Sequence, residues 1–196
     1  MDRRRFFDEQ APAWDRIPPP QEASLRRVVE LAGVAAGHRV LDVGAGTGVL
    51  GPLLLAAAGE EGQVVAFDIS RGMIAQAAAK LSAGNLLLVQ ADVHRLPFPE
   101  GAFDRVICNA AFPHFGDRRG ALGEMARVLG PGGVLVISHP IGRAAVNARH
   151  REAGGAVGED RVPPPEVMEG LLREAGLVEI AVVDEPEFYL ARARRP

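Results

Sequence analysis

Hydrophobic positions along the chain follow two different periods. Between residues 21 and 35 the apolar side chains Leu25, Val28, Val29 and Ala32 recur three and four apart, which predicts an amphipathic helix. Beyond it, short apolar runs alternate with longer helical patterns. Strands are predicted at residues 39–43, 64–68, 86–90, 103–109 and 134–138, and helices at 48–58, 71–81 and 118–129. Runs that are apolar throughout suit a parallel sheet covered on both faces. Gly130-Pro131-Gly132-Gly133 reads as a tight turn that ends the last of these helices and launches the strand after it. Two triple-proline stretches, 18–20 and 163–165, each predict a helix immediately afterwards, since proline fits a first turn and blocks an interior. For the second, that helix is 165–175. The last two β-rich runs, 178–184 and 187–193, are separated only by Glu185-Pro186, too short a link for a crossover, so antiparallel pairing is expected. The pattern predicts an α/β, Rossmann-like doubly wound sheet of about seven strands, mostly parallel with a C-terminal antiparallel hairpin. Ligands are expected outside the carboxyl ends of its strands.

Composition narrows the partners. A chain of 196 residues suits one domain, 1–196. With 22 basic against 25 acidic side chains and a formal charge of −3, it lacks the cationic excess that nucleic-acid phosphates or anionic lipid would select. The clusters Arg3-Arg4-Arg5 and Arg192, Arg194, Arg195 read as solvated ends. No apolar run approaches the roughly 18 residues of a membrane span, and the first residues are charged, without the apolar stretch of an export signal. One cysteine, Cys108, supports neither an intramolecular disulfide nor a thiolate cluster. A cytoplasmic protein is expected, monomer or homodimer, with no nucleic acid, membrane or metal among its partners.

The most informative segment is Val40-Leu41-Asp42-Val43-Gly44-Ala45-Gly46-Thr47-Gly48, an apolar strand that runs into glycines at alternate positions and then into a helix. Such a loop lets a ligand approach the backbone and the positive helix end. Gly46-x-Gly48-x-x-Gly51 also satisfies the dinucleotide pattern, and Asp68 at the next strand end would suit the ribose of NAD. Asp42 separates the readings. A carboxylate two residues before the first glycine repels a pyrophosphate and attracts an α-amino group. Asp68 has an oxygen for each ribose hydroxyl, and Asp92 after the third strand stands where an adenine amine needs an acceptor. Three acids at successive strand ends suit S-adenosylmethionine.

With these motifs the chain resembles the class I S-adenosylmethionine-dependent methyltransferases, in particular the small-molecule group that includes the quinone-biosynthesis enzymes. The likeness is carried by residues 40–48, by Ala66-Phe67-Asp68-Ile69-Ser70, by Ala91-Asp92-Val93 with Leu96-Pro97-Phe98, by Phe103-Asp104-Arg105-Val106, and by Arg127-Val128-Leu129-Gly130-Pro131-Gly132-Gly133. It implies methyl transfer to a small-molecule acceptor, with cofactor held by Asp42, Gly44, Ala45, Gly46, Gly48, Asp68, Ile69, Met73, Ala91, Asp92, Val93 and Asn109. It also implies that residues 1–36 form an N-terminal lid and helix, with Phe7, Trp14 and Asp15 closing over the cofactor.

Methyl transfer is an in-line displacement that needs alignment and dryness more than a protein nucleophile. Where the acceptor must lose a proton, His114 and His139 are the candidate bases, with Tyr189 a further one. Arg143, Asn147 and His150 recur at four and three residues, which places them on one helix face, as acceptor contacts or as plain surface. Residues 154–162, rich in glycine and charge, form the candidate mobile loop. Asn109-Ala110-Ala111-Phe112 only weakly resembles the Asn-Pro-Pro-Tyr motif of amino-methylating enzymes. Two other classes stay open: an NAD-dependent oxidoreductase, disfavoured because Tyr189 has no lysine four places on, and a catalytically silent S-adenosylmethionine-binding protein.

Overall fold

The computed structural model describes residues 3–16 and 21–196. In chain order it has α1 (Arg3–Trp14), α2 (Glu22–Ala32), β1 (Arg39–Val43), α3 (Gly51–Ala58), β2 (Gln63–Asp68), α4 (Arg71–Lys80), β3 (Leu86–Gln90) and β4 (Phe103–Asn109). A 3-10 turn, Phe112–His114, leads to α5 (Arg118–Val128), β5 (Leu129–His139), α6 (Arg143–Ala153), α7 (Pro165–Glu174), β6 (Val178–Glu185) and β7 (Phe188–Arg194). The strands form one sheet in the order β3-β2-β1-β4-β5-β7-β6. The first five run parallel, and β7 lies antiparallel between β5 and β6. The order reverses between β1 and β4, which opens a crevice at their carboxyl ends.

Alternate residues of each central strand face two apolar layers. Leu41, Val43, Val106, Cys108, Leu135 and Ile137 pack with Leu122 and Met125 of α5 and Met168 and Leu172 of α7. Val40, Val64, Ile107, Val134 and Val136 pack with Leu25 and Val28 of α2 and Leu54 and Ala58 of α3. Burial from both sides explains the continuous apolar runs of the sequence. It also pushes the Cys108 thiol pKa far up, so this cysteine is a packing residue.

Three local expectations are corrected. Gly130–Gly133 is not a turn before the strand but part of β5. Phe103 pairs with Leu129 and Arg105 already with Val134, so the extra residues are taken up as a bulge. Gly132, at φ +74°, donates its N–H to the Arg195 carbonyl, and Arg195 donates back to Gly133, which keeps the glycine stretch in the sheet's hydrogen bonding. The helix expected from Gly48 starts at Gly51, because Gly48 is still in the left-handed region at φ +85° and Pro52 sets the first turn. Helix α7 begins at Pro165 as expected, whereas prolines 18–20 lie outside the described residues. The segment expected to be a mobile loop is packed, with Val157, Asp160 and Val162 buried.

Candidate functional site

The glycine loop leaves β1 at Val43 and turns through Gly44, Gly46 and Gly48, all at positive φ. Their duties differ. A Cβ on Gly44 would stand 2.5 Å from the Ala111 methyl and one on Gly48 2.6 Å from Leu81, so these two allow close packing. A Cβ on Gly46 would meet only open space, and Gly46 lines a cavity of about 350 Å³ at the crevice. Its N–H donates to Asp68 Oδ2 at 2.9 Å, while Ser70 N–H donates to Asp68 Oδ1 at 2.8 Å. Asp68, 8% exposed, is thus presented to the cavity by two backbone donors. Burial raises its pKa, against the lowering effect of those donors.

Of the residues predicted for the cofactor, Gly44, Gly46, Asp68, Ile69, Met73, Ala91, Asp92 and Val93 line this cavity. Asp92 has one oxygen engaged, Oδ1, which accepts from His94 N–H at 3.0 Å and meets His94 Nδ1 at 2.7 Å. Ala45, Gly48, Asn109 and Asp42 are not in the cavity wall. Ala45 donates to the Phe67 carbonyl, which fixes the loop on β2, and Asn109 Oδ1 accepts from Ser138 Oγ. Asp42 is buried, and its Oδ2 has no hydrogen-bond partner among the described residues. Burial first, then the neighbouring Asp68, pushes its pKa up to about 7.

The two predicted bases separate. His114 lies in the cavity wall. His139 does not: it ends β5 beneath β7, paired with Tyr189, at 3% exposure. Its Nε2 is unpartnered among the described residues, and burial holds its pKa down to about 3. Tyr189 is fully buried and donates to the Pro163 carbonyl at 3.2 Å. Both are core residues because the inserted antiparallel strand covers the end of β5, a neighbour that the strand pattern alone does not reveal. Arg143 pairs with Asp184 at 2.6 Å and Asn147 bonds the backbone of Val162, so these two brace α6.

The lid is α1. Phe7 and Trp14 stand edge to face at 5.9 Å and both line the cavity. Five polar contacts from three side chains tie down the helix and the residue after it. Asp8 accepts from Ser70 Oγ and Gly72 N–H, Asp15 pairs with Lys80 and accepts from Thr47 Oγ1, and Arg3 pairs with Asp160. Asp8, Arg3, Asp160, His94 and Ala110 were missed as site residues, for they belong to no local motif. Ala110 holds φ +57°, a costly conformation for a residue with a Cβ, at the cavity edge after β4.

The sheet with its inserted antiparallel strand and the crevice lined by a glycine loop and strand-end acids define a Rossmann-like methyltransferase fold. Residues 41–137 match the methyltransferase domain family. Over 113 residues, 56% of this chain and 45% of the relative, the chain is 41% identical to the ubiquinone/menaquinone biosynthesis C-methyltransferase UbiE of Saccharophagus degradans. It is 44% identical over 114 residues, 57% of this chain and 51% of the relative, to the demethylmenaquinone methyltransferase of Thermus thermophilus. The match spans about half the length of these curated relatives. Among solved structures, the S-adenosylmethionine-dependent methyltransferase of Aquifex aeolicus superposes with a TM-score of 0.77 at 23% identity, over 95% of this chain and 98% of the other. A phosphoethanolamine N-methyltransferase of Haemonchus contortus, solved with S-adenosyl-L-methionine, gives 0.79 at 18% identity, over 100% of this chain and 60% of the other. Over somewhat more than half of its length in sequence, and throughout in fold, the chain is similar to S-adenosylmethionine-dependent methyltransferases.

Proposed function

We propose that this protein binds S-adenosylmethionine along the rim of β1, β2 and β3 and transfers its methyl group to a small-molecule acceptor. The observation that carries the reading is the carboxylate of Asp68, held by Gly46 and Ser70 at the wall of a cavity large enough for a nucleoside. In this reading Asp68 takes the ribose hydroxyls and Asp92 the adenine amine with its free oxygen. The unpartnered Oδ2 of Asp42 lies under the glycine loop, where the ligand's ammonium supplies a compensating charge. Bound there, S-adenosylmethionine supplies an electrophilic methyl on a good leaving group. The protein supplies alignment and, through α1 with Phe7 and Trp14, exclusion of water.

The acceptor is a small ring-bearing molecule of the hydroquinone type, a choice supported by the names of the curated relatives and by the aromatic edges of Phe7, Trp14 and Phe115 in the cavity wall. The setting is the cytoplasm, in keeping with the composition; among the described residues no helix is long and apolar enough to cross a membrane. The NAD reading is disfavoured by β7 lying antiparallel within the sheet and by the burial of Tyr189.

Calorimetry with S-adenosylmethionine and with NAD tests the proposal. Saturable binding of the first is expected, with Asp68→Ala weakening it more than about tenfold because two ribose hydroxyls lose their acceptor. Binding of NAD alone ends the reading. Formation of S-adenosylhomocysteine with 1,4-naphthalenediol as acceptor then separates an enzyme from a silent binder.

A further inference from the structure

The wall of the cavity that carries His114 holds a second constellation. His114 ends the 3-10 turn after β4 and keeps 15% of its side chain exposed. Its Nδ1 lies 2.7 Å from Oδ2 of Asp160, a residue of the α6–α7 connection that is 3% exposed. The other oxygen of Asp160 receives the guanidinium of Arg3 from α1. Burial alone would raise the Asp160 pKa, but the hydrogen bonds from His114 and Arg3 outweigh it and keep the carboxyl below its ordinary value. An ionised carboxylate can only accept. Nδ1 therefore carries the hydrogen, and Nε2 of the neutral ring holds the lone pair.

Packing fixes the ring as well as its tautomer. Phe7 stands edge-on to His114 at 5.2 Å, and His150 lies tilted against it at 5.0 Å. His150 is itself tied by Nδ1 to the Asp160 carbonyl at 3.0 Å. With the Nδ1 edge turned to a buried carboxylate and the residue in the cavity wall, the opposite edge of the imidazole, with Nε2, is the one left for an acceptor.

We propose that Asp160 is a positioning residue that holds His114 as the general base for an acceptor whose hydroxyl loses its proton during methyl transfer. This rests on the methyltransferase reading. The hydroxyl proton passes to Nε2, and an electron pair of the acceptor forms the bond to the methyl carbon. The pair of the broken S–CH3 bond stays on sulfur. The sulfonium charge that disappears is matched by the imidazolium that forms, which Asp160 balances. The other charged or titratable groups around the pair are Arg3, Asp68, Arg118, His139, His150 and Arg161, on α1, β2, α5, β5, α6 and the α6–α7 connection. Arg3 links the base to the lid, since closure of α1 brings the cation onto the carboxylate that orients His114.

The test reads the tautomer directly. In 15N-histidine NMR spectra of the full chain at a pH where His114 is neutral, assigned by comparison with His114→Gln, the signal is expected in the Nδ1–H form. This is the reverse of the form favoured by free histidine in water. An Nε2–H signal overturns the proposal whatever the activity. With 1,4-naphthalenediol as acceptor, Asp160→Asn is expected to lower kcat about 10- to 100-fold, with KM for S-adenosylmethionine within threefold, and Asp160→Glu to recover at least tenfold of that loss. An equal loss in Asp160→Glu, or a change confined to KM, makes Asp160 a lid anchor only and overturns it. If Asp160→Asn fails to fold, the wild-type spectrum still decides. Calorimetry on the same samples keeps the two ideas apart: loss of cofactor binding removes the methyltransferase reading, while the wrong tautomer removes only the dyad.

Discussion

Asp42 and Asp68 are two carboxylates taken out of water near the ends of the neighbouring strands β1 and β2, and the cost falls on Asp42, which is buried with an oxygen that no described residue satisfies. A carboxyl whose pKa is about 7 in the fold and 3.8 outside it favours folding in its neutral form. Its contribution is fully present below pH 4 and is lost as pH rises toward 7, a change on the order of 4 kcal/mol. The isosteric Asp42→Asn removes that loss. Thermal melts of the ligand-free protein are expected to show the variant gaining several degrees more over wild type at pH 8 than at pH 5. If a cationic ligand end pairs with ionised Asp42, binding also expels a proton below pH 7. Affinity for S-adenosylmethionine in the wild type then rises with pH from 5 to 7 and levels off, whereas Asp42→Asn binds more weakly and without that slope. A flat wild-type titration would take the ligand's ammonium away from Asp42. The sequence singled out Asp42 by its position before the glycines. That it lies beneath the loop and not in the cavity wall was not legible there, because a strand pattern gives the face of a residue and not its depth.

Helix α1 is an element held almost entirely by polar contacts. Ala11 alone of its described residues is buried, and it sits where a Cβ on Gly72 would come within 2.9 Å of it. An element with so little apolar burial opens at small cost. The double variant Asp8→Ala/Asp15→Ala removes the acceptors for Ser70, Gly72 and Thr47 and the partner of Lys80. It is expected to expose residues 3–16 to limited proteolysis and to weaken cofactor binding by about 3- to 30-fold, with saturating S-adenosylmethionine restoring part of the protection. Unchanged proteolysis would make the apolar contacts of Phe7 and Trp14 the real fastening. In the sequence only the family resemblance pointed to a lid here, since the acids that fasten the segment are paired with residues 32 to 65 positions away. The strands, by contrast, were placed within a residue or two wherever burial on both faces made the apolar run continuous. The exception is β5, where glycines that look like a turn instead allow a bulge.

At the scale of the whole molecule, the hairpin that the short Glu185-Pro186 link implied is inserted beside β5, with β7 inside and β6 at the edge. That order is set by tertiary pairing, and it explains why His139 and Tyr189 became core residues and His114 did not. The family match ends at residue 137, so Asp160, α6 and α7 belong to the part of the chain that the match leaves free to differ. A site spread over the ends of β1, β2, β3 and β4 and over α1 has a consequence for the fold as a unit: a ligand bound there ties the first half of the sheet and α1 together. Any ligand that binds only the folded state stabilises it by about 2.7 kcal/mol at a hundredfold excess over its dissociation constant. For a chain of this length that is a rise in Tm of about 5 to 10 °C. S-adenosylhomocysteine, which keeps the ribose, adenine and ammonium groups but lacks the transferable methyl, is expected to give this rise in the wild type. Asp68→Ala should need at least tenfold more ligand to reach it, and NAD at the same concentration should give none. A rise with NAD equal to that with S-adenosylhomocysteine would mean that the glycine loop does not discriminate a diphosphate from an amino acid, and that the negative charge of Asp42 does not govern the choice.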